Sequence, residues 1–242
     1  MVFKDIFPCF QLQEFIALYR LRHFIIPPTL TPHPKPYPAQ PEHCITFYPR
    51  GAEITQLLGS NTTRKRPRSI ISGQFTQRIN RSSLYSEILI IVVVFKPGAL
   101  YRLTGIPFHE LNNLDIDLEV VFPKKAREVN DLLSSSNSYT EMISIIEKFL
   151  LSLTESIKIE ARKSDRIFHL ISENNQKYSL AWLAGQACLS PRQFERKSQQ
   201  YIGVNPKLFS RIARFNQTYW LGLKEPSLDW LSIAVICGYH DY

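Results

Sequence analysis

The chain has 242 residues of which 44% are hydrophobic, a composition that excludes a disordered polymer and leaves room for two domains. Its formal net charge of +8 is concentrated toward one end: residues 161–242 hold 11 Lys/Arg against 6 Asp/Glu, while residues 1–160 hold 18 against 15. An excess of that sign in one third of the chain favours an anionic partner such as nucleic acid.

In chain order, the first 38 residues carry seven of the 16 prolines (Pro8, Pro27, Pro28, Pro32, Pro34, Pro36 and Pro38), which predicts largely extended connection with one short helix over Gln11–Leu21. Strands are predicted at Cys44–Tyr48, Ser69–Phe75 and Glu87–Phe95. The last is a solid β-branched block closed by the turn Lys96-Pro97-Gly98, and its length and composition favour a buried strand over a helix. Its aliphatic stretch Ile88–Val94 is too short to span a bilayer. The region of Lys4 and Asp5 lacks the sustained apolar run of a signal peptide, so a cytoplasmic location and no membrane partner are expected.

Helical spacing begins at Lys124–Leu133, breaks at the polar run Ser134–Ser138, and resumes over Thr140–Ile159 with Met142, Ile145, Ile146, Phe149, Leu150 and Leu153 on one face. That stripe suits a core, and equally a dimerisation surface. Beyond Ser164 the helices become short: Asp165–Ser172; Leu180–Ala187 capped by Ser179; a third capped by Ser190 with Pro191 at its first position and ended by Gly203; Pro206–Leu223; and Leu228–Cys237 capped by Ser227 and closed by Gly238.

The helices flanking Cys188-Leu189 meet the requirements of a helix-turn-helix: a small residue, Ala184, where they touch, a tight turn, and a second helix with one apolar and one polar face. At about 100° per residue, placing Phe194 toward the core puts Ser198 and Tyr201 within about 40° of it. Arg192, Arg196 and Gln199 then fall near the opposite pole, with Glu195 to one side. Guanidinium forks match guanine O6 and N7 in the major groove, and a carboxylate can accept from cytosine N4. A solvated helix face with an internal Glu195–Gln199 pairing is the alternative use of these residues.

Other candidates carry less. Arg64-Lys65-Arg66-Pro67-Arg68 reads as a basic loop, solvated or touching phosphate. His23, His33 and His43 recur every ten residues, but in Pro-rich surroundings that do not preform a metal site. Cys9, Cys44, Cys188 and Cys237 show no CxxC pair and no metal spacing, so buried free thiols are expected. No Ser-His-Asp, Cys-His or paired-carboxylate arrangement stands out; neither catalysis nor a cofactor is expected.

Over its last 80 residues the chain resembles the AraC family of bacterial transcription regulators. The residues that carry the resemblance are Leu183-Ala184, the run Ala187 to Arg196, Gly203-Val204-Asn205-Pro206, Ile233-Ala234, Cys237-Gly238-Tyr239 and Asp241. A weaker likeness to the sensory half of one subgroup lies in Phe95-Lys96-Pro97-Gly98-Ala99 and Asp115-Ile116-Asp117-Leu118. The resemblance implies an α+β protein: a β-rich sensory or dimerisation domain over 1–137, a helical connection over 138–163, and an all-α DNA-binding domain over 164–242. That domain would hold one complete helix-turn-helix and one incomplete at Tyr242.

By the same resemblance the chain is a transcription factor of the activator type that reads the major groove of double-stranded DNA with helix 190–202. Arg192, Glu195 and Arg196 would face bases, and Ser190, Gln193 and Gln199 would contact phosphate or the groove edge. The implied partners also include a small-molecule effector in the first domain and a second copy in a homodimer. The alternative is a truncated regulator that binds little DNA and acts through protein–protein contact. The family pattern has a large apolar residue at the position of Ser198, so a loss of about 3–5 kcal/mol is expected there unless neighbours fill in.

Overall fold

A computed structural model describes residues 1–27, 34–57, 63–83, 85–155, 163–173 and 178–239. The described residues form ten strands, the last of them after the first helix: β1 Val2–Ile6, β2 Ile16–Ile25, β3 Lys35–Tyr37, β4 His43–Arg50, β5 Glu53–Leu57, β6 Thr63–Lys65, β7 Ser69–Ser72, β8 Ile79–Ser83, β9 Glu87–Phe95 and β10 Asp115–Asp117. They form a six-stranded sheet in the order β1-β2-β9-β4-β7-β10 and a four-stranded sheet in the order β3-β8-β5-β6. All strand pairings among the described residues are antiparallel.

Strand β9 has the predicted bounds, and β4 and β7 lie where strands were expected. The expected helix at Gln11–Leu21 does not form. A single 3-10 turn, Phe10–Leu12, precedes β2, which pairs with β1 on one side and β9 on the other. The apolar spacing Leu12, Phe15, Ile16, Tyr19 does match a helix, but pairing with β9 over Leu18–Ile25 and with β1 over Tyr19–His23 overrides it. Among the described residues of the Pro-rich start, β1, β2 and β3 replace the expected connection, and Pro36 sits on edge strand β3, where a missing N–H is tolerated.

Alternation along the six-stranded sheet sends Tyr19, Leu21, Ile45, Phe47, Ile71, Ile91 and Val93 to one face, all essentially solvent-free. Helix α1, Ala99–Thr104, and the short α2, Leu118–Val121, lead into α3, Pro123–Ser135, and α4, Tyr139–Thr154, which cover that face. Met142, Ile146, Phe149, Leu150 and Leu153 are buried, and Phe149 meets Phe47 edge-on with ring centroids 6.3 Å apart. The apolar stripe of α4 is thus core. The continuation of this helix expected to Ile159, His33 and Asp241 lie outside the described residues.

Five helices follow: α5 Lys163–Glu173, α6 Leu180–Gln186, α7 Pro191–Ile202, α8 Pro206–Lys224 and α9 Trp230–Ile236. Ser179, Ser190 and Asn205 each cap the next helix through a side-chain oxygen. The last helix starts later than expected: Asp229, not Ser227, accepts from the backbone N–H of Ser232. A carboxylate two residues on captures the free N–H groups and wins the cap. Helix α9 buries Ile233 and leaves Trp230, Leu231, Val235 and Ile236 exposed.

Candidate nucleic-acid interface

The turn between α6 and α7 is built from backbone. Cys188 adopts φ 55°, and the N–H groups of Cys188 and Leu189 donate to Gly185 O and Ala184 O, both at 2.9 Å. Ala184 is fully buried at the helix contact, as the motif requires. Cys188 itself is exposed, correcting the expectation of a buried thiol; the left-handed turn points its side chain outward, where Sγ lies 3.3 Å from Lys163 Nζ. Only Cys237 is buried among the four.

Helix α7 begins with a full capping box: Gln193 N–H donates to Ser190 Oγ at 3.3 Å, and Ser190 N–H donates to Gln193 Oε1 at 2.9 Å. Ser190 and Gln193 are exposed, but their acceptor oxygens serve the helix start. What they retain toward a partner is the hydroxyl hydrogen and the amide NH2.

Phe194 anchors the inner face, fully buried and stacked on Phe168 with centroids 5.3 Å apart. Ser198 and Tyr201 are buried beside it, as the angular reading required. Arg192, Glu195, Arg196 and Gln199 are all exposed. Among the described residues neither Arg192 nor Arg196 enters an ion pair, so the two guanidiniums stand one helical turn apart with their donors uncommitted. Glu195 sits apart from them, bordering a groove of about 400 Å3 that Leu183, Lys207, Arg211 and Arg214 also line.

Ser198 is accommodated without an aromatic ring. Its hydroxyl donates to Val204 O at 2.6 Å, closing the turn after α7 and satisfying a buried polar group. The stacked Phe168–Phe194 pair and Tyr201, 6.4 Å from Phe168, form the aromatic core around this turn of the helix.

The other half of α7 is seated on the β-rich part, an arrangement with no local signal in the sequence. His43 at the start of β4 donates from Nε2 to Ile202 O at 3.0 Å, and Asn112 Nδ2 donates to Gly203 O at 2.6 Å. Gln200 donates to the Tyr101 hydroxyl, and the Tyr101 and Tyr201 rings lie 4.3 Å apart. Burial pushes the His43 imidazole down to about 4, against the opposing pull of its bond to Ile202. Gly203 fits for two reasons: its φ is 92°, and a Cβ there would stand 2.6 Å from Asn112 Oδ1 and 2.9 Å from Phe108 O.

Among the remaining sequence candidates, Arg66, Arg68 and His23 have structural partners. Arg66, expected in a solvated loop, is buried and pairs with Glu53 at 3.2 Å and Asp115 at 2.8 Å. Arg68 pairs with Glu119 and Asp131. Arg64 and Lys65 are the end of edge strand β6 rather than loop, and the chain then turns back into the sandwich, which draws the third of the five residues inward. His23 contacts Tyr139 and Glu87, whereas His43 contacts Ile202 O. No three His, Cys, Asp or Glu residues among those described gather as metal ligands. No helix among the described residues is long and apolar enough to cross a membrane.

Residues 4–117 match the model of a family described as a domain of unknown function, DUF6597. Compared with curated proteins, the sequence has no match. Among solved structures, the chain is similar to an apo variant of ToxT from Vibrio cholerae strain SCE256, with 11% identity over 92% of this chain and 89% of that one and a TM-score of 0.48. It is also similar to wild-type ToxT of that strain with an unsaturated fatty acid bound (12% identity, 93% and 87% covered, TM-score 0.45). A third similar structure is the AraC-like transcriptional activator CuxR (11% identity, 91% and 81% covered, TM-score 0.35).

Proposed function

We propose that this chain is a sequence-specific DNA-binding transcriptional regulator of the AraC type that reads the major groove with α7. The observation that carries the reading is the pair Arg192 and Arg196, exposed and without ion-pair partners among the described residues, on a capped helix that a tight turn sets out from its neighbour. In this reading Arg192, Glu195 and Arg196 face bases, and Ser190, Gln193 and Gln199 steady the helix at the groove edge. Residues 1–137 form the sensing and dimerising part, 138–163 the connection, and 164–242 the DNA-binding part. The protein acts in the cytoplasm by binding and catalyses no reaction.

The test is a duplex selected from a random-sequence library by the parent protein, followed by affinity measurements at several salt concentrations. Affinity should fall steeply with salt as counterions are released. Arg196→Ala should lower affinity about 10–100-fold and relax selectivity at the contacted base, matching 1–3 kcal/mol per bidentate contact. A parent protein that enriches no duplex at low salt overturns the reading.

A further inference from the structure

The groove that Glu195 borders lies among α5, α6, α7 and α8, away from the β-rich part, and its chemistry is split. Ile171 of α5, Leu180 and Leu183 of α6 and Pro206 at the start of α8 form an apolar floor. Ile171, Leu183 and Pro206 are buried where these helices pack together, and Leu180 is half-buried. Lys207, Arg211 and Arg214 of α8 form a cationic wall along the same groove.

Helical geometry makes the wall. Positions 207, 211 and 214 are spaced i, i+4 and i+7, so the three cations fall on one stripe about 10 Å long. Helix α8 has no Asp or Glu anywhere in its 19 residues. Like charges four residues apart oppose each other on a helix, and Lys207 stands in the first turn, where the helix dipole disfavours a cation. The helix packs through Phe209, Ile212 and Ala213, so its own burial does not call for this stripe.

None of the three cations, nor Glu195, forms an ion pair among the described residues. Lys207 and Arg211 are exposed. Arg214 is half-buried: its Nη1 lies 3.4 Å from Gly238 O and its guanidinium 5.4 Å from the centre of the Tyr239 ring, contacts that leave its charge unneutralised. Its Nε is shut from solvent with no hydrogen-bond partner, a costly state for a charged group. Three cations against the one carboxylate of Glu195 leave the lining with a net charge of +2. A DNA backbone could meet the cations but offers nothing to an apolar floor. A concave site of about 400 Å3 with its charges along one wall has the size and make-up of a small-molecule site.

We propose that this groove binds a small organic dianion, a phosphate monoester or a dicarboxylate, with its charges on Lys207, Arg211 and Arg214 and its apolar body on Leu180, Leu183 and Ile171. Two negative charges match the net +2 of the lining, and a phosphate monoester carries about that charge at neutral pH. With Glu195 on the rim, the bound ligand lies against α7 itself.

The test is titration calorimetry and thermal melting of the full chain with 2-naphthyl phosphate, naphthalene-2,6-dicarboxylate, 2-naphthoate and inorganic phosphate. The first two separate phosphate from carboxylate recognition, the third removes one charge, and the fourth removes the apolar body. At least one naphthyl dianion should bind saturably and raise Tm by about 3–6 °C at ten times its Kd. Naphthoate should bind at least about tenfold more weakly, and inorganic phosphate should give no saturable shift. Arg211→Gln, at an exposed position without a partner, should keep the parental Tm and weaken the dianion about 10–100-fold. Ser210→Phe, which fills the groove from the same helix, should abolish binding without altering the charge. Lys224→Gln, an α8 cation outside the groove, should leave binding unchanged. Saturable binding of neither dianion, or undiminished binding in both groove variants, overturns the proposal. So does an Arg211→Gln protein that loses DNA affinity but keeps the dianion, because the stripe then serves the DNA backbone. The calorimetry needs no DNA: failure of DNA binding sinks the regulator reading, whereas silent titrations beside intact DNA binding sink the dianion site alone.

Discussion

The two halves of α7 have opposite economies. Its first two turns hold themselves: the capping box fixes the start, Phe194 pins one side, and the charges of Arg192 and Arg196 point outward with no intramolecular partner among the described residues. Its last turn belongs to the rest of the molecule, with Ile202 and Gly203 carbonyls accepting from His43 and Asn112 and Tyr201 packed on Tyr101. One helix thus carries a surface kept available for a partner and a seat that fixes how that surface is presented. Substitutions in the seat should change stability first, and substitutions of the outward-pointing Arg192 and Arg196 should change binding alone.

The largest effect is expected at Gly203. Gly203→Ala places a Cβ against Asn112 and the Phe108 carbonyl in a left-handed backbone, and should destabilise the protein by about 2–5 kcal/mol, as read by urea denaturation. Near-parental stability would mean that the close approach between α7 and the 108–112 segment is not maintained in solution.

His43 sharpens the comparison through pH. Its folded pKa lies at about 4, below the ordinary 6.5, so the buried imidazole stays neutral while the unfolded chain takes up a proton. This contribution is intact above pH 6.5, declines as pH falls below it, and is lost once pH passes through 4. The full amplitude is about 3 kcal/mol. Denaturation midpoints between pH 7.5 and 4.5 should fall less steeply in His43→Gln, which keeps a donor without the titration. Identical slopes in parent and variant would remove His43 from the seat.

Ser198→Ala leaves the buried Val204 carbonyl without its donor and should destabilise by about 1–3 kcal/mol. The smallest loss, about 1 kcal/mol, is expected for Ser190→Ala, which opens the capping box at the exposed end. An order reversed between Gly203→Ala and Ser190→Ala would invert the contrast between the two halves.

The outer half of α7 was legible in the sequence and the seat was not, for a physical reason. Caps, turns and helical faces are local: Ser190 and Pro191 announce a helix start, Gly203 its end, and 100° steps from Phe194 separate buried Ser198 from exposed Arg196. The bond from His43 to Ile202 joins residues 159 apart, and no periodicity encodes it. The same limit hid β2, whose helical spacing gave way to pairing with β1 and β9. The basic segment at Arg64 was visible, but the burial of Arg66 inside it was not.

The central claim is tested most directly by measuring unfolding free energy and DNA affinity on the same preparations of the parent, Arg192→Ala/Arg196→Ala and Ser198→Ala, using a duplex selected by the parent. The double variant should bind at least about 100-fold more weakly, with stability within about 0.5 kcal/mol of the parent. Ser198→Ala should lose stability while the folded fraction keeps its affinity within a few-fold. Unchanged affinity in the double arginine variant would contradict the assignment of this face to DNA.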